Sequence, residues 1–156
     1  MKMDKAWGWI IDPQYKIIQH KLLQVDDNLD TLRKVVDCKY LESVSLQSHP
    51  NAVAFCDEEG RLCEDKEKRY FSYQWLTEPH SGMNVPISDV QSNHRKQCPV
   101  NEIIFCKTVV VFGINDEGDI SDAPLDLMQL ASSLSFLPDD YTDEPNWEYL
   151  NLSELH

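Results

Sequence analysis

Thiol and imidazole side chains are the groups in this chain best suited to hold a metal ion. Tetrahedral zinc takes thiolate and imidazole ligands, and both kinds are present in Cys56, Cys63, His94 and Cys98. Their spacing matches no common zinc finger, and a free cysteine is an ordinary core residue. The sequence therefore predicts no metal site and no cofactor.

A cysteine nucleophile is the second kind of chemistry that these residues could perform. His80, His94 and Cys98 share one irregular segment, 77–100, and active-site groups often gather on such segments. The geometry of nucleophile, base and oxyanion donor decides whether catalysis follows, and no local pattern specifies it. We predict no catalytic residue, and a small cysteine or metal enzyme is the third hypothesis for function.

Arginine and lysine side chains could instead bind a phosphate group. The candidates in the sequence are Arg61, Arg69, Arg95 and Lys96. The chain has no Walker loop, dinucleotide fingerprint or nucleophile elbow. The alternative hypothesis is thus a small-ligand or nucleotide-sequestering protein whose pocket lies beneath 77–100 and uses Tyr73, Arg95 and Lys96.

Two short acidic stretches, 57–60 and 115–118, end in glycine, and acidic clusters can bind calcium. Neither stretch has the ligand spacing of an EF-hand loop. Asp and Gly are also common hairpin residues, because glycine supplies the positive φ angle that a tight turn needs. We interpret both stretches as hairpin turns.

The charge of the chain is strongly negative and unevenly distributed. Among 156 residues there are 27 acidic and 14 basic ones, for a net charge of −13, and 108–156 contains 11 of the acids and no lysine or arginine. Such a charge repels phosphate backbones and membrane headgroups and favours basic protein surfaces. We therefore expect the basic surface of another protein as partner, no direct nucleic-acid binding and no membrane association.

The C-terminal segment, 139–156, combines acidic side chains with aromatic and leucine side chains. The residues predicted to contact a partner are Asp139, Asp140, Tyr141, Asp143, Glu144, Trp147, Glu148, Tyr149 and Leu150. The acids would steer the segment toward a basic surface, and the apolar side chains would anchor it there. Alternatively, Tyr149, Leu152 and Leu155 pack a terminal helix onto the protein's own sheet. The sequence leaves both interpretations open.

The elements that must position these groups are predicted from periodicity and turn residues. Apolar segments on either side of Asp12 and Pro13 predict a hairpin. Further strands are predicted at 40–46, 52–56, 70–76 and within 102–114, whose apolar run indicates a strand or strand pair buried on both faces.

Two amphipathic helices are predicted between and after these strands. The first is capped by Asp26 or Asp27 and ends near Asp37. The second begins at Ser121 or Asp122. Its inward leucines are Leu127, Leu130, Leu134 and Leu137.

The order of elements predicts an α+β fold, a mostly antiparallel sheet with two or three amphipathic helices packed on it. There are too few helices between strands for a doubly wound parallel sheet. The length suits one domain, 1–138, followed by 139–156 as a docked helix or a mobile tail. Five cysteines without CxxC spacing and the absence of a signal-type apolar segment predict a reduced, cytoplasmic protein.

The order of several landmarks resembles a known family. They are residues 9–13 (WIIDP), 32–36 (LRKVV), Cys38, 44–46 (VSL), 57–60 (DEEG), 109–113 (VVVFG) and 116–118 (DEG). Over about 7–137 the chain resembles a family of small proteins of unknown function carried by bacteriophages, plasmids and other mobile elements. The resemblance implies an accessory protein in a bacterial cytoplasm, and it assigns no catalytic residue.

The leading hypothesis is therefore a non-enzymatic, acidic phage or mobile-element protein that binds and modulates a host protein. A nucleic-acid-handling or anti-phage defence enzyme is a plausible target class, because carboxylates can imitate DNA phosphates in a basic groove. The sequence does not determine the oligomeric state.

Overall fold

The computed structural model describes residues 4–59 and 68–141, and its first element is the predicted hairpin. β1 (Lys5–Asp12) pairs antiparallel with β2 (Ile17–Gln24) along the full length of both strands. The turn between them forms because Asp12 Oδ1 accepts hydrogen bonds from the backbone N–H groups of Gln14 (3.0 Å) and Tyr15 (3.4 Å).

The remaining elements follow in chain order: α1 (Asp30–Val36), β3 (Leu41–Ser45), β4 (Ala52–Asp57), β5 (Tyr70–Thr77), β6 (Asn84–Val85), a 3-10 turn (Ile87–Asp89), α2 (Ser92–Arg95), β7 (Val100–Cys106), β8 (Val109–Ile114), β9 (Ile120–Ser121), α3 (Leu127–Ser133) and β10 (Leu134–Phe136). No helix of the described residues is long and apolar enough to cross a bilayer.

The strands form two antiparallel sheets. The larger, six-stranded sheet has the order β2-β1-β8-β4-β3, and β9 extends the pairing of β8. In the smaller, four-stranded sheet, β7 pairs along one edge of β5, and β10 and β6 pair with the other edge of β5. The predicted α+β fold of a single, mostly antiparallel domain is confirmed.

The core on the larger sheet has two parts because β8 is buried on both faces. Val109 and Val111 pack between the sheets with Trp9, Phe71 and other core residues. Val110 and Phe112 point to the opposite face, where α1 covers the larger sheet. The continuous apolar run of β8 is what a strand buried on both sides requires.

Some boundaries differ from the sequence prediction. The sequence left a strand or a strand pair open for 102–114, and the structure has two strands: Lys107, with a φ of 65°, turns the chain from β7 in the smaller sheet to β8 in the larger one. The first helix starts at Asp30 after Leu29, which has a φ of 57°, and is not capped by Asp26 or Asp27. The segment 77–100 is more ordered than predicted, since it contains β6, the 3-10 turn and α2.

The second predicted helix was placed too early and made too long. Asp126 is the N-cap of α3 and forms a capping box with Gln129. Leu130 is fully buried as predicted, but Leu127 is 53% exposed and Leu134 belongs to β10. The prediction placed the cap at Ser121 or Asp122 and extended the helix along the leucine spacing, whereas Asp126 fixes where the helix starts.

Candidate functional site

The strand directions place two groups of charged residues at opposite ends of the larger sheet. β1 and β9 begin, and β2 and β8 end, at one end of it. We call this the acidic end, and its members are Asp4, Asp26, Asp27, Asp116, Glu117, Asp119 and Asp122. The other end, here called the mixed end, contains Asp12, Lys16, Asp37, Asp57, Lys68, Arg69, Lys107 and Asp139.

A tight turn after β8 holds part of the acidic end in place. Asn115 Oδ1 accepts hydrogen bonds from the backbone N–H groups of Glu117 (3.0 Å) and Asp119 (2.9 Å). Gly118 has a φ of 84°, which glycine adopts without strain. This was one of the acidic stretches interpreted as hairpin turns, and it connects the antiparallel strands β8 and β9.

The rest of the acidic end is tied to the edge of the sheet. The Val25 N–H donates to the Asp4 carbonyl (2.8 Å), which brings the segment after β2 beside the start of β1. Asp122 Oδ1 accepts a hydrogen bond from the backbone N–H of Trp7 (2.8 Å). The carboxylates therefore sit on backbone that is fixed by hydrogen bonds.

Little positive charge is present at this end among the described residues. Lys5, at the start of β1, is the one lysine or arginine there, and Lys2 is close in sequence but lies outside the described residues. Asp4, Asp26, Asp116 and Asp122 make no ion pair with a described base. The local field is therefore negative and attracts cationic surfaces.

An aromatic patch adjoins the acidic end on the hairpin. It consists of Trp7, Trp9, His20 and Leu22, which lie on one face of the hairpin because Trp7 pairs with Leu22 and Trp9 with His20. The His20 ring stacks on Trp9 at 4.3 Å and lies 4.9 Å from Trp7, centroid to centroid.

This patch is anchored on one side and open on the other. Trp9 is buried, and its indole N–H donates to the Leu125 carbonyl at 3.0 Å. Trp7 is 43% exposed and Leu22 46% exposed. A large aromatic ring that is rigidly held and partly exposed is typical of protein interaction sites.

At the mixed end, basic side chains lie beside acidic ones. Lys107 Nζ lies 3.0 Å from Asp57 Oδ2 and donates to the Asp37 carbonyl at 3.3 Å. Asp139 Oδ1 lies 3.4 Å from Arg69 Nε and 3.7 Å from Lys16 Nζ. Because several of its charges are paired within the molecule, this end attracts a basic surface less than the acidic end does.

The predicted partner-binding residues of the C-terminal segment lie partly in the structure. Asp139 is engaged by Lys16 and Arg69, Asp140 is exposed, and the Tyr141 ring contacts the Tyr70 ring edge-on at 5.3 Å. The others, Asp143, Glu144, Trp147, Glu148, Tyr149 and Leu150, are outside the described residues. Partner binding by this segment remains a prediction.

The residues predicted to line a ligand pocket, Tyr73, Arg95 and Lys96, differ in burial and in their hydrogen-bond partners. Tyr73 is buried between the sheets, where its hydroxyl is 2.7 Å from the Ser48 hydroxyl. Burial raises the pKa of Tyr73. Arg95 and Lys96 are exposed on and after α2, and the Arg95 Nε donates to the Val90 carbonyl at 2.7 Å. Tyr73 serves the core, because β5 presents alternate residues to the opposing sheet.

The thiol and imidazole candidates contact different groups. Cys98 Sγ donates to the backbone carbonyl of His94 (3.5 Å), whereas the His94 imidazole contacts Glu78 Oε1 at 3.3 Å. Burial raises the pKa of the Cys56 thiol to about 12, so this thiol stays protonated. The described residues contain no group of His, Cys, Asp and Glu able to hold a metal ion. Cys63 and Arg61 are outside them.

Sequence reasoning missed the aromatic patch, although its signal was present. Trp7 and Trp9 alternate in β1, and His20 and Leu22 alternate in β2, so each pair points to one face once the hairpin register is known. The register itself depends on the turn at Asp12.

Scans of protein-family models, of curated proteins and of solved structures found no significant match to this chain.

Proposed function

We propose that this chain is a non-enzymatic, acidic accessory protein of a bacteriophage or other mobile element. In the bacterial cytoplasm it binds the basic surface of a host protein and modulates that protein's activity. The resemblance over about 7–137 supports the origin, and the net charge of −13 supports a basic partner.

One observation carries this proposal: the exposed Trp7 lies directly beside the acidic end. Its backbone N–H donates a hydrogen bond to the Asp122 carboxylate, and its ring lies against the His20 ring. Leu22 is its partner on the neighbouring strand. Carboxylates accelerate encounter with a basic surface, while an aromatic anchor contributes the short-range binding energy. The acidic end and the aromatic patch together supply both parts of such an interface.

A nucleic-acid-handling or defence enzyme is the partner class that we favour. Such enzymes carry basic grooves for phosphate backbones, and an ordered set of carboxylates competes for the same groove. The acidic turn at 115–119 and the Asp122 carboxylate are held by hydrogen bonds, which lowers the entropy cost of presenting them. Binding of this kind weakens with salt and is competed by duplex DNA.

Affinity capture with matched variants tests the proposal. The tagged full-length chain is incubated with bacterial lysate at low and moderate salt, and a captured protein is then purified and its Kd measured directly. In one variant Asp116→Asn, Glu117→Gln and Asp119→Asn are combined, and a second carries Trp7→Ala. We expect the first to lose most of the salt-dependent affinity and the second to weaken binding by about 30-fold or more.

Two control variants carry similar changes at the mixed end. Glu42→Gln, Glu58→Gln and Glu59→Gln remove the same amount of charge, and Tyr15→Ala removes a ring that is 68% exposed on the hairpin turn. Both controls are expected to bind as the unaltered chain does. Equal loss of affinity in the controls and in the acidic-end variants would overturn the proposed surface. A partner whose binding is unaffected by salt would overturn the role of charge.

A further inference from the structure

A cavity of about 200 Å³ opens at the mixed end, where four separate parts of the chain meet. Its basic lining residues are Lys68, Arg69 and Lys107. They come from the segment before β5 and from the turn between β7 and β8, and the turn of the hairpin and the end of α1 complete the walls. In a chain with a net charge of −13, three cations around one cavity are a local exception.

Lys68 is the unusual member of this group. It is only 8% exposed, and within the described residues its side chain makes neither an ion pair nor a hydrogen bond. Its carbonyl accepts a hydrogen bond from Arg69 Nη1 (3.1 Å), which fixes the backbone there. The side chain of Lys68 is thus mostly enclosed while its charge has no partner among the described residues, and an ammonium group beside a cavity favours an anion there.

The other polar groups of the cavity define what an anion would meet. Arg69 and Lys107 are partly buried and already contact Asp139 and Asp57. Thr108 lines the cavity, and its hydroxyl donates to no described residue. Ammonium, guanidinium and hydroxyl donors around one small space suit a tetrahedral oxyanion such as a phosphate group.

Two carboxylates on the same walls limit the kind of ligand. Asp12 uses Oδ1 for the turn of the hairpin, and Asp37, whose φ is 59°, offers its carbonyl to Lys107. Both line the cavity, and acidic side chains there repel a large polyanion but accept hydrogen bonds from hydroxyl groups. The volume is below that of common drug-sized sites, which favours a small ligand.

We propose that this cavity binds a small, hydroxyl-bearing phosphate monoester. Lys68 provides the principal charge for the phosphate group, Arg69 and Thr108 donate additional hydrogen bonds, and Asp12 and Asp37 accept from the hydroxyl groups. The site is separate from the acidic end, so it is independent of the proposed protein interface.

Thermal unfolding of the full-length chain tests this site, with glycerol 3-phosphate as the probe and sodium chloride at equal ionic strength as reference. At ten times its Kd the probe is expected to raise the Tm by about 3 to 6 °C, since it binds the folded state alone. Lys68→Met keeps the side-chain length, removes the charge and should abolish the shift. Lys21→Met, at an exposed lysine of β2, should keep it.

Two other variants and a direct binding measurement test the site if Lys68→Met does not fold. Lys68→Gln and Thr108→Val are expected to reduce the shift, and isothermal titration of the unaltered chain gives the Kd without any variant. Acetate should not substitute for the probe, because a carboxylate carries less charge and fewer acceptors. An equal shift in Lys68→Met, an equal effect of acetate, or no shift beyond that of sodium chloride would overturn the proposal.

Discussion

The two ends of the larger sheet are built from similar residues but arrange their charges differently. At the acidic end, carboxylates are held by backbone N–H groups, as Asp122 is by Trp7. At the mixed end, carboxylates face ammonium and guanidinium groups, as Asp57 faces Lys107 at 3.0 Å. Charge neutralised within the molecule stabilises the fold locally, whereas charge left in excess is available to another molecule.

This difference follows from which segments each end brings together. The mixed end joins the hairpin turn, the end of α1 and both the start of β5 and the end of β7, and these segments carry the bases. The acidic end joins segments from 108–156, which has no lysine or arginine, to the start of β1 and the end of β2. The overall charge alone does not reveal this segregation.

The largest expected effect comes from Gly113→Ala, which disturbs the support of the acidic end. A Cβ atom at Gly113 would lie 2.3 Å from the Asp122 carbonyl oxygen, so β9 or Asp122 must move. Overpacking of this kind costs about 1 to 3 kcal/mol, and we expect the upper part of that range, measured by urea unfolding. Gly82→Asn is the control, because its position is open, its φ is 72° and Asn tolerates that region. If the urea midpoint of Gly113→Ala were unchanged, the contact between the new Cβ atom and the Asp122 carbonyl oxygen would not be tight.

The next effect concerns the mixed end, where Asp57→Asn removes a partner of Lys107. The Asp57 side chain is 11% exposed and that of Lys107 28% exposed, so solvent screens the pair only in part. We expect a loss of about 1 to 2 kcal/mol in the free energy of unfolding. Asp140→Asn, at an exposed carboxylate, should change it by no more than a few tenths of a kcal/mol. Equal losses of unfolding free energy in the two variants would contradict the prediction, because they would mean that the ion pair of Asp57 with Lys107 adds no more stability than an exposed carboxylate does.

Local patterns predicted the parts of this fold that depend on neighbouring residues. The hairpin around Asp12, the burial of Leu130 and the turn at Gly118 follow from turn chemistry and periodicity. The sequence left one strand or a strand pair open for 102–114, and neither the choice nor the break at Lys107 was predictable in this way, because apolar residues continue on both sides of it. Only the pairing of β7 with β5 and of β8 with β1 and β4 separates the two strands.

The candidate sites depend even more on long-range pairing. Lys68 and Lys107 are far apart in sequence, and nothing near either of them indicates that they share a cavity. Tyr73, Arg95 and Lys96 were grouped by residue type, whereas Tyr73 is buried in the core and the other two are exposed. Residue type suggests possible chemistry, whereas strand order decides which residues meet.

A smaller effect should distinguish the ends by their response to salt. Asp4→Asn together with Asp116→Asn reduces repulsion among exposed carboxylates that have no described basic partner. At low ionic strength we expect stabilisation of about 0.5 kcal/mol, which disappears near 1 M salt, where the screening length is about 3 Å. Urea unfolding across a salt series measures it. A stabilisation that persists at high salt would indicate a cause other than charge repulsion.

The smallest effect is expected for Asp139→Asn, which removes the carboxylate shared by Lys16 and Arg69. The Asp139 side chain is 64% exposed, so its contacts at 3.7 and 3.4 Å are largely screened and should contribute no more than about 0.5 kcal/mol. Ending the chain at Pro138 also removes the contact between Tyr141 and Tyr70, and the loss should then exceed that of the single variant. Because Tyr70 begins β5, such a result would mean that the C-terminal segment stabilises the mixed end. A truncated chain as stable as the full-length one would instead leave that segment free to contribute its acidic and aromatic side chains to a partner.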